Sequence, residues 1–116
     1  MSLFKQLFGS VDSIHVSDLQ EKISGKGGPV LVDVRTMSEY RDGHIPGAAS
    51  IPLDRLDARL NKLSKNKEII CICRSGARSK RATRLLQNAG FNATNMQGGM
   101  NAWQKAGFKI KVGKVK

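Results

Sequence analysis

Beyond Glu68 the chain has no acidic residue, although ten of its twenty lysines and arginines lie there. The first 68 residues set ten cations against all nine acids, so nearly all of the formal charge of +11 belongs to residues 69–116. That absence excludes local charge pairing: a carboxylate partner for an arginine of the second half must come from the first. It also predicts an electropositive half that draws small anions, an effect salt screens. Cysteine is scarce too. Cys71 and Cys73 stand two apart, which excludes a disulfide scaffold, and with only His15 and His44 as further ligands no zinc spacing arises. The expectations are no metal and a reducing, cytoplasmic setting. Aromatic residues are 5% of the chain, too few for a base-stacking platform, so nucleic acid is not the expected partner. No apolar run approaches the roughly 20 residues of a membrane span, and Met1–Gly9 is too short and too polar for a signal peptide.

What is present is an alternation of short apolar runs with amphipathic stretches, all within the length of one domain. Ile14-His15-Val16 reads as a strand, and Ser17-x-x-Gln20 as a capping box opening a helix that Gly25 stops. Val30 to Val34 is a continuous apolar run of the kind a central parallel strand needs. Thr36-x-x-Glu39 is a second capping box, closed by Asp42-Gly43. Ala49-Ser50-Ile51 reads as a brief strand, and Leu53, Leu56, Leu60 and Leu63 share a helical face in a stretch that Asn66 ends. Ile69 to Ile72 is the next buried strand and Ala77 to Ala89 a helix stopped by Gly90. Ala93 to Met96 is a last strand, and after Gly98-Gly99 a final helix runs from Met100 to Ala106 with Trp103.

This pattern predicts an α/β fold, a three-layer sandwich with a mostly parallel central sheet flanked by helices on both faces. The expected divisions are an N-terminal stub over 1–12, a domain over 13–108 and a basic tail over 109–116. Leu3, Phe4, Leu7 and Phe8 lie at helical spacing, which suits contact with a membrane or partner, but the stub is expected to pack on its own domain or fray. The tail alternates like a strand or an extended segment, and its basic face is expected to be solvated.

The chemistry concentrates in Cys73-Arg74-Ser75-Gly76-Ala77-Arg78-Ser79, a short loop between a buried strand and a helix start. Unpaired backbone N–H groups and the macrodipole at a helix N-terminus favour an anion, here the cysteine thiolate. An ordinary thiol is roughly 3% ionised at pH 7, whereas a pKa near 6.5 makes it about three-quarters thiolate, for about 2.7 kcal/mol of differential stabilisation. Cys73 is therefore read as the nucleophile, with the helix N–H groups, Arg74 and Arg78 as its stabilisers. Cys71, inside the strand, is read as a core residue. Arg78 can reach an anion above the sulfur or pair with an acid of the first half, anion contact being the expected role, and Arg74 is expected to stand at the mouth. Ser75 and Ser79 either bond the thiolate or cap the helix, and capping is the expected role of both. His44 is read as a structural group rather than a base. Asp33 and Arg35 are expected to organise neighbouring loops.

Taken with Leu31-Val32-Asp33-Val34-Arg35, Glu39-Tyr40, Gly43-His44-Ile45-Pro46-Gly47-Ala48, Ile51-Pro52, Gly98-Gly99 and Trp103, this loop resembles the single-domain rhodaneses, a sulfurtransferase family. The resemblance runs from about Ile14 to Gly107. It implies that Cys73 takes a sulfane sulfur from a donor such as thiosulfate, holds it as a persulfide cradled by residues 74–78, and passes it to cyanide or a thiol, with a protein acceptor among the options. It implies no cofactor and no metal. Related phosphatases and arsenate reductases carry Cys-x5-Arg; the Cys-x4-Arg here forms a tighter ring, suited to one sulfur atom rather than a tetrahedral oxyanion. The alternative readings are a non-catalytic sulfur carrier or interaction module and, because a serine follows Arg78, a Cys-dependent phosphatase or arsenate reductase.

Overall fold

The structure is a computed structural model, and it describes residues 11–113. The N-terminal stub and the last three residues of the tail therefore lie outside the described residues, save for Val11 and Asp12. Five strands, β1 (Ser13–Ile14), β2 (Val30–Asp33), β3 (Ala49–Ser50), β4 (Ile69–Ile72) and β5 (Ala93–Met96), form one parallel sheet in the order β1-β5-β4-β2-β3. Between and after them lie α1 (Val16–Ser24), α2 (Met37–Asp42), α3 (Leu53–Leu56), α4 (Ala77–Asn88) and α5 (Gly99–Lys105).

The two-residue period of β4 explains the three layers. Ile70 and Ile72 face one way and pack with Leu19 of α1, Tyr40 of α2, and Met100 and Trp103 of α5. Ile69 and Cys71 face the other way and pack with Leu56 of α3 and with Ala82 and Leu86 of α4. Both faces of the strand are covered, hence the unbroken apolar run. β2 and β4 are in direct register, Asp33 opposite Ile72, so their carboxyl ends finish side by side.

Some local expectations give way. The capping box read at Ser17 and Gln20 is absent, because α1 starts two residues earlier than that box requires and its N-cap is His15, with no side-chain cap. β1 accordingly ends at Ile14 rather than including His15 and Val16. The capping box at Thr36 and Glu39 is present in both directions. The leucine-rich stretch is α-helical only to Leu56, then tightens into a 3-10 helix over Asp57–Lys62. Three residues per turn stacks Leu60 over Leu63, and both rest against the core as partly buried side chains. In residues 109–113 the side chains of Lys109, Lys111 and Val112 are exposed while the backbone is fastened to the domain. The backbone of Lys111 pairs with that of His44, the N–H of Gly113 donates to the carbonyl of Arg41, and the side chain of Ile110 packs on the core.

Candidate active site around Cys73

Cys73 follows β4 directly, and Gly76 is the N-cap of α4 with a φ of +113°, a left-handed conformation that suits glycine. That turn folds the loop around the sulfur. The Gly76 N–H donates to Cys73 Sγ at 3.0 Å, and Ser79 Oγ lies 3.3 Å from it. Cys73 itself is 1% exposed. Burial pushes its thiol pKa up, but the Ser79 hydroxyl and the backbone N–H groups of Ser79, Gly76 and Ser75 outweigh that and hold it below the ordinary value. At Cys71 burial wins: it pushes the thiol up to about 11 against a smaller opposing hydrogen bond with the Thr83 side chain.

The backbone N–H groups expected to stabilise the thiolate do so, joined by the Ser79 hydroxyl, while the two arginines are engaged by a carboxylate. Arg78 donates to both carboxylate oxygens of Glu39, at 2.7 and 2.9 Å, and Arg74 Nε donates to the same carboxylate at 3.2 Å. The Arg78 guanidinium beside Glu39 holds its carboxyl far below the usual carboxylate range, against the opposing effect of burial, with help from Thr36. Reciprocally, Glu39 raises the pKa of Arg78. Of the two roles the sequence allows Arg78, the pair with an acid is the one observed here, and the carboxylate comes from the acid-bearing half, 39 residues earlier.

The capping role expected of Ser75 and Ser79 is corrected. Helix α4 has no side-chain cap, and Ser79 instead sits fully buried beside the sulfur, within hydrogen-bonding reach of the Gly76 carbonyl at 3.1 Å and of Asn95 Oδ1. Asn95 escaped notice in the sequence. It lies in β5 opposite Cys71 and is 1% exposed, and an asparagine inside a buried strand is the signal that marks it.

Gly99 is the second residue overlooked. The carbonyls of Cys73 and Arg74 accept from the N–H groups of Met100 at 2.8 Å and Asn101 at 3.0 Å, in the first turn of α5. The helix start therefore pins the outer, carbonyl side of the loop while its N–H groups turn toward the sulfur. A Cβ on Gly99 would meet the Cys73 carbonyl oxygen at 2.5 Å, and its φ is +60°.

The remaining predicted residues build the surroundings. Asp33 and Arg35 form a buried ion pair, Nε to Oδ1 at 2.9 Å and Nη2 to Oδ2 at 2.8 Å, and Arg35 also donates to the Gly43 carbonyl at 2.7 Å. His44 stacks on Tyr40 with ring centroids 3.7 Å apart, and its Nδ1 lies 2.8 Å from the Tyr40 carbonyl. It is not among the partners of Cys73. Arg74, Ser75 and Ala77 are exposed. Arg78 lines a cavity of about 470 Å³ floored by Val34, Pro52, Leu53 and Leu85, while Arg35, Glu39 and Arg74 line one of about 160 Å³. Among the described residues, no three His, Cys, Asp or Glu side chains gather as a metal site, and no helix is long and apolar enough to cross a membrane.

The rhodanese-like domain family model matches residues 15–106. A protein of Allochromatium vinosum named as a sulfurtransferase is 33% identical over 101 residues, covering 86% of this chain and 94% of that protein. YrkF of Bacillus subtilis (strain 168) is 37% identical over 95 residues; the match takes 81% of this chain but spans only 51% of that relative. Among solved structures, a rhodanese-like domain protein from Staphylococcus aureus is 37% identical with a TM-score of 0.79, covering 86% of this chain and 98% of that one.

Proposed function

Since the chain belongs to the rhodanese-like domain family, we propose that it is a sulfurtransferase working through a persulfide on Cys73. The thiolate attacks the sulfane sulfur of a donor such as thiosulfate, forming an Sγ–S bond while the donor's S–S bond breaks and sulfite leaves with the bonding pair. A thiol or cyanide then attacks the outer sulfur and regenerates the thiolate. The N–H groups that favour the thiolate also serve the persulfide anion, whose charge sits one atom further out. Arg74 to Arg78 form the cradle, with Ser79 as a direct partner of Sγ.

The observation that carries this reading is a cysteine held at 3.0 Å by the Gly76 N–H, with its pKa depressed although it is buried. A structural cysteine in the same core behaves like Cys71, pushed up to about 11. A phosphatase needs its loop arginine for the equatorial oxygens of a phosphoryl group. Here Arg78 is held by Glu39.

Incubation with thiosulfate is expected to add about 32 Da to the intact protein, one sulfur atom, and Cys73→Ser to abolish both the addition and sulfur transfer to cyanide. An unchanged mass together with full activity in Cys73→Ser overturns the proposal. Hydrolysis of a chromogenic phosphate ester, lost in Cys73→Ser, would promote the phosphatase reading instead.

A further inference from the structure

Glu39 does more than cap a helix. Its Oε1 accepts from the Thr36 N–H and hydroxyl, both at 3.1 Å, and from Arg78; its Oε2 accepts from Arg78 and Arg74. The side chain is 17% exposed and fastened from both sides, so the carboxylate occupies the planar, bidentate position an incoming oxyanion would take on Arg78. Two guanidinium charges against one carboxylate leave a single positive charge at the loop, and the Cys73 thiolate cancels it.

We propose that Glu39 is a specificity-determining residue: by filling the anion position of Arg78 and Arg74 it turns the loop away from inorganic dianions and toward low-charge persulfide donors, R–S–SH. This rests on the sulfurtransferase reading above. In that step the Cys73 thiolate attacks the outer sulfur of R–S–SH, an Sγ–S bond forms, the donor S–S bond breaks, and R–S⁻ leaves with the bonding pair. The proton stays on the transferred sulfur, so the charge is one negative before and after. Thiosulfate instead brings two charges to a mouth whose net charge is already spent, and it must displace or bypass a carboxylate that three residues hold.

Glu39→Gln removes the charge and keeps the capping box, since glutamine serves at that position. Thr36→Ala is the control, loosening the same helix start while keeping the carboxylate. One readout is independent of any sulfur donor: the ratio of Cys73 alkylation rates with anionic iodoacetate and neutral iodoacetamide. Glu39→Gln is expected to raise that ratio about 5–10-fold at low salt, a gain lost by about 0.5 M salt. Single-turnover loading from thiosulfate should rise alongside, and loading from a small-molecule persulfide should change less than about twofold. Thr36→Ala should match the unaltered chain. In the unaltered protein the ratio should vary less than about twofold between about 20 mM and 0.5 M salt, a measurement that needs no variant. An unchanged ratio in Glu39→Gln, the same shift in Thr36→Ala, or a steep salt slope in the unaltered protein overturns the proposal. Failure of both donors to load Cys73 would instead sink the sulfurtransferase reading, while the alkylation ratio still decides the role of Glu39.

Discussion

Two cysteines two positions apart show how little residue type alone decides. Both are buried and burial pushes both thiols up, yet Cys73 ends below its ordinary pKa and Cys71 at about 11. Hydrogen-bond donors make the difference, chiefly the Ser79 hydroxyl and three backbone N–H groups. The expected consequence is an iodoacetamide profile for Cys73 with a midpoint below about 8.5, shifted up by about one unit in Ser79→Ala, the scale of a hydrogen bond to a charged group. Cys71 should stay unreactive until far higher pH. A profile that Ser79→Ala leaves unmoved would remove the hydroxyl from the account. Linkage supplies the sign for stability. Because the folded-state pKa of Cys73 is depressed, its contribution is present above the unfolded thiol pKa and lost as pH falls through the folded value. Cys71 acts oppositely, its contribution being complete below the unfolded value and lost as pH climbs toward about 11. Cys73, its loop and the Thr36–Glu39 capping box were legible in the sequence because each is a short-range pattern. The partner of Arg78 was not, beyond the tally that assigned every acid to the first 68 residues.

At the scale of elements, the loop is a product of two helix starts rather than one. The N-terminus of α4 turns its donors toward Cys73, and the N-terminus of α5 binds the loop's carbonyls from outside. Gly98-Gly99 read as a turn, and its closeness to a loop some 25 residues earlier has no local signature. Gly99→Ala is expected to destabilise the fold by about 3 kcal/mol, combining a left-handed φ with overpacking against the Cys73 carbonyl, and to slow Cys73 alkylation. Gly27, at φ +69° with nothing within 4 Å of a built Cβ, separates the two effects: Gly27→Ala should cost only about 1 kcal/mol and leave alkylation alone. Equal losses in urea denaturation of the two variants would show that close approach to the loop carries no weight. The capping box expected at Ser17 failed for a related reason. A hydroxyl two residues past the N-cap cannot cap the helix, and sequence patterns locate helix starts less sharply than they locate helices.

Across the whole molecule, buried polar pairs tie the strand ends to the segments beyond them. Arg35, 5% exposed, joins Asp33 to the Gly43 carbonyl at the end of α2, and so holds in place the helix that carries Glu39. Arg35→Ala strands the Asp33 carboxylate and is expected to lower stability by about 3–5 kcal/mol; a loss under about 1 kcal/mol in urea denaturation would show that water takes over the pairing. By itself the sequence determined the alternation of strands and helices, the parallel sheet, the position of Cys73 beyond a strand end, and the Cys-x4-Arg spacing. All of these follow from local periodicity and chain connectivity. Only the tertiary structure decided that the Ser79 hydroxyl joins the backbone N–H groups at the sulfur and where Arg78 points. β2 and β4 lie adjacent in register, so the helix after β2 meets the loop after β4, and the carboxylate of Glu39 reaches an arginine 39 residues away. A partner at that range is chosen by sheet geometry, which no local pattern of residues encodes.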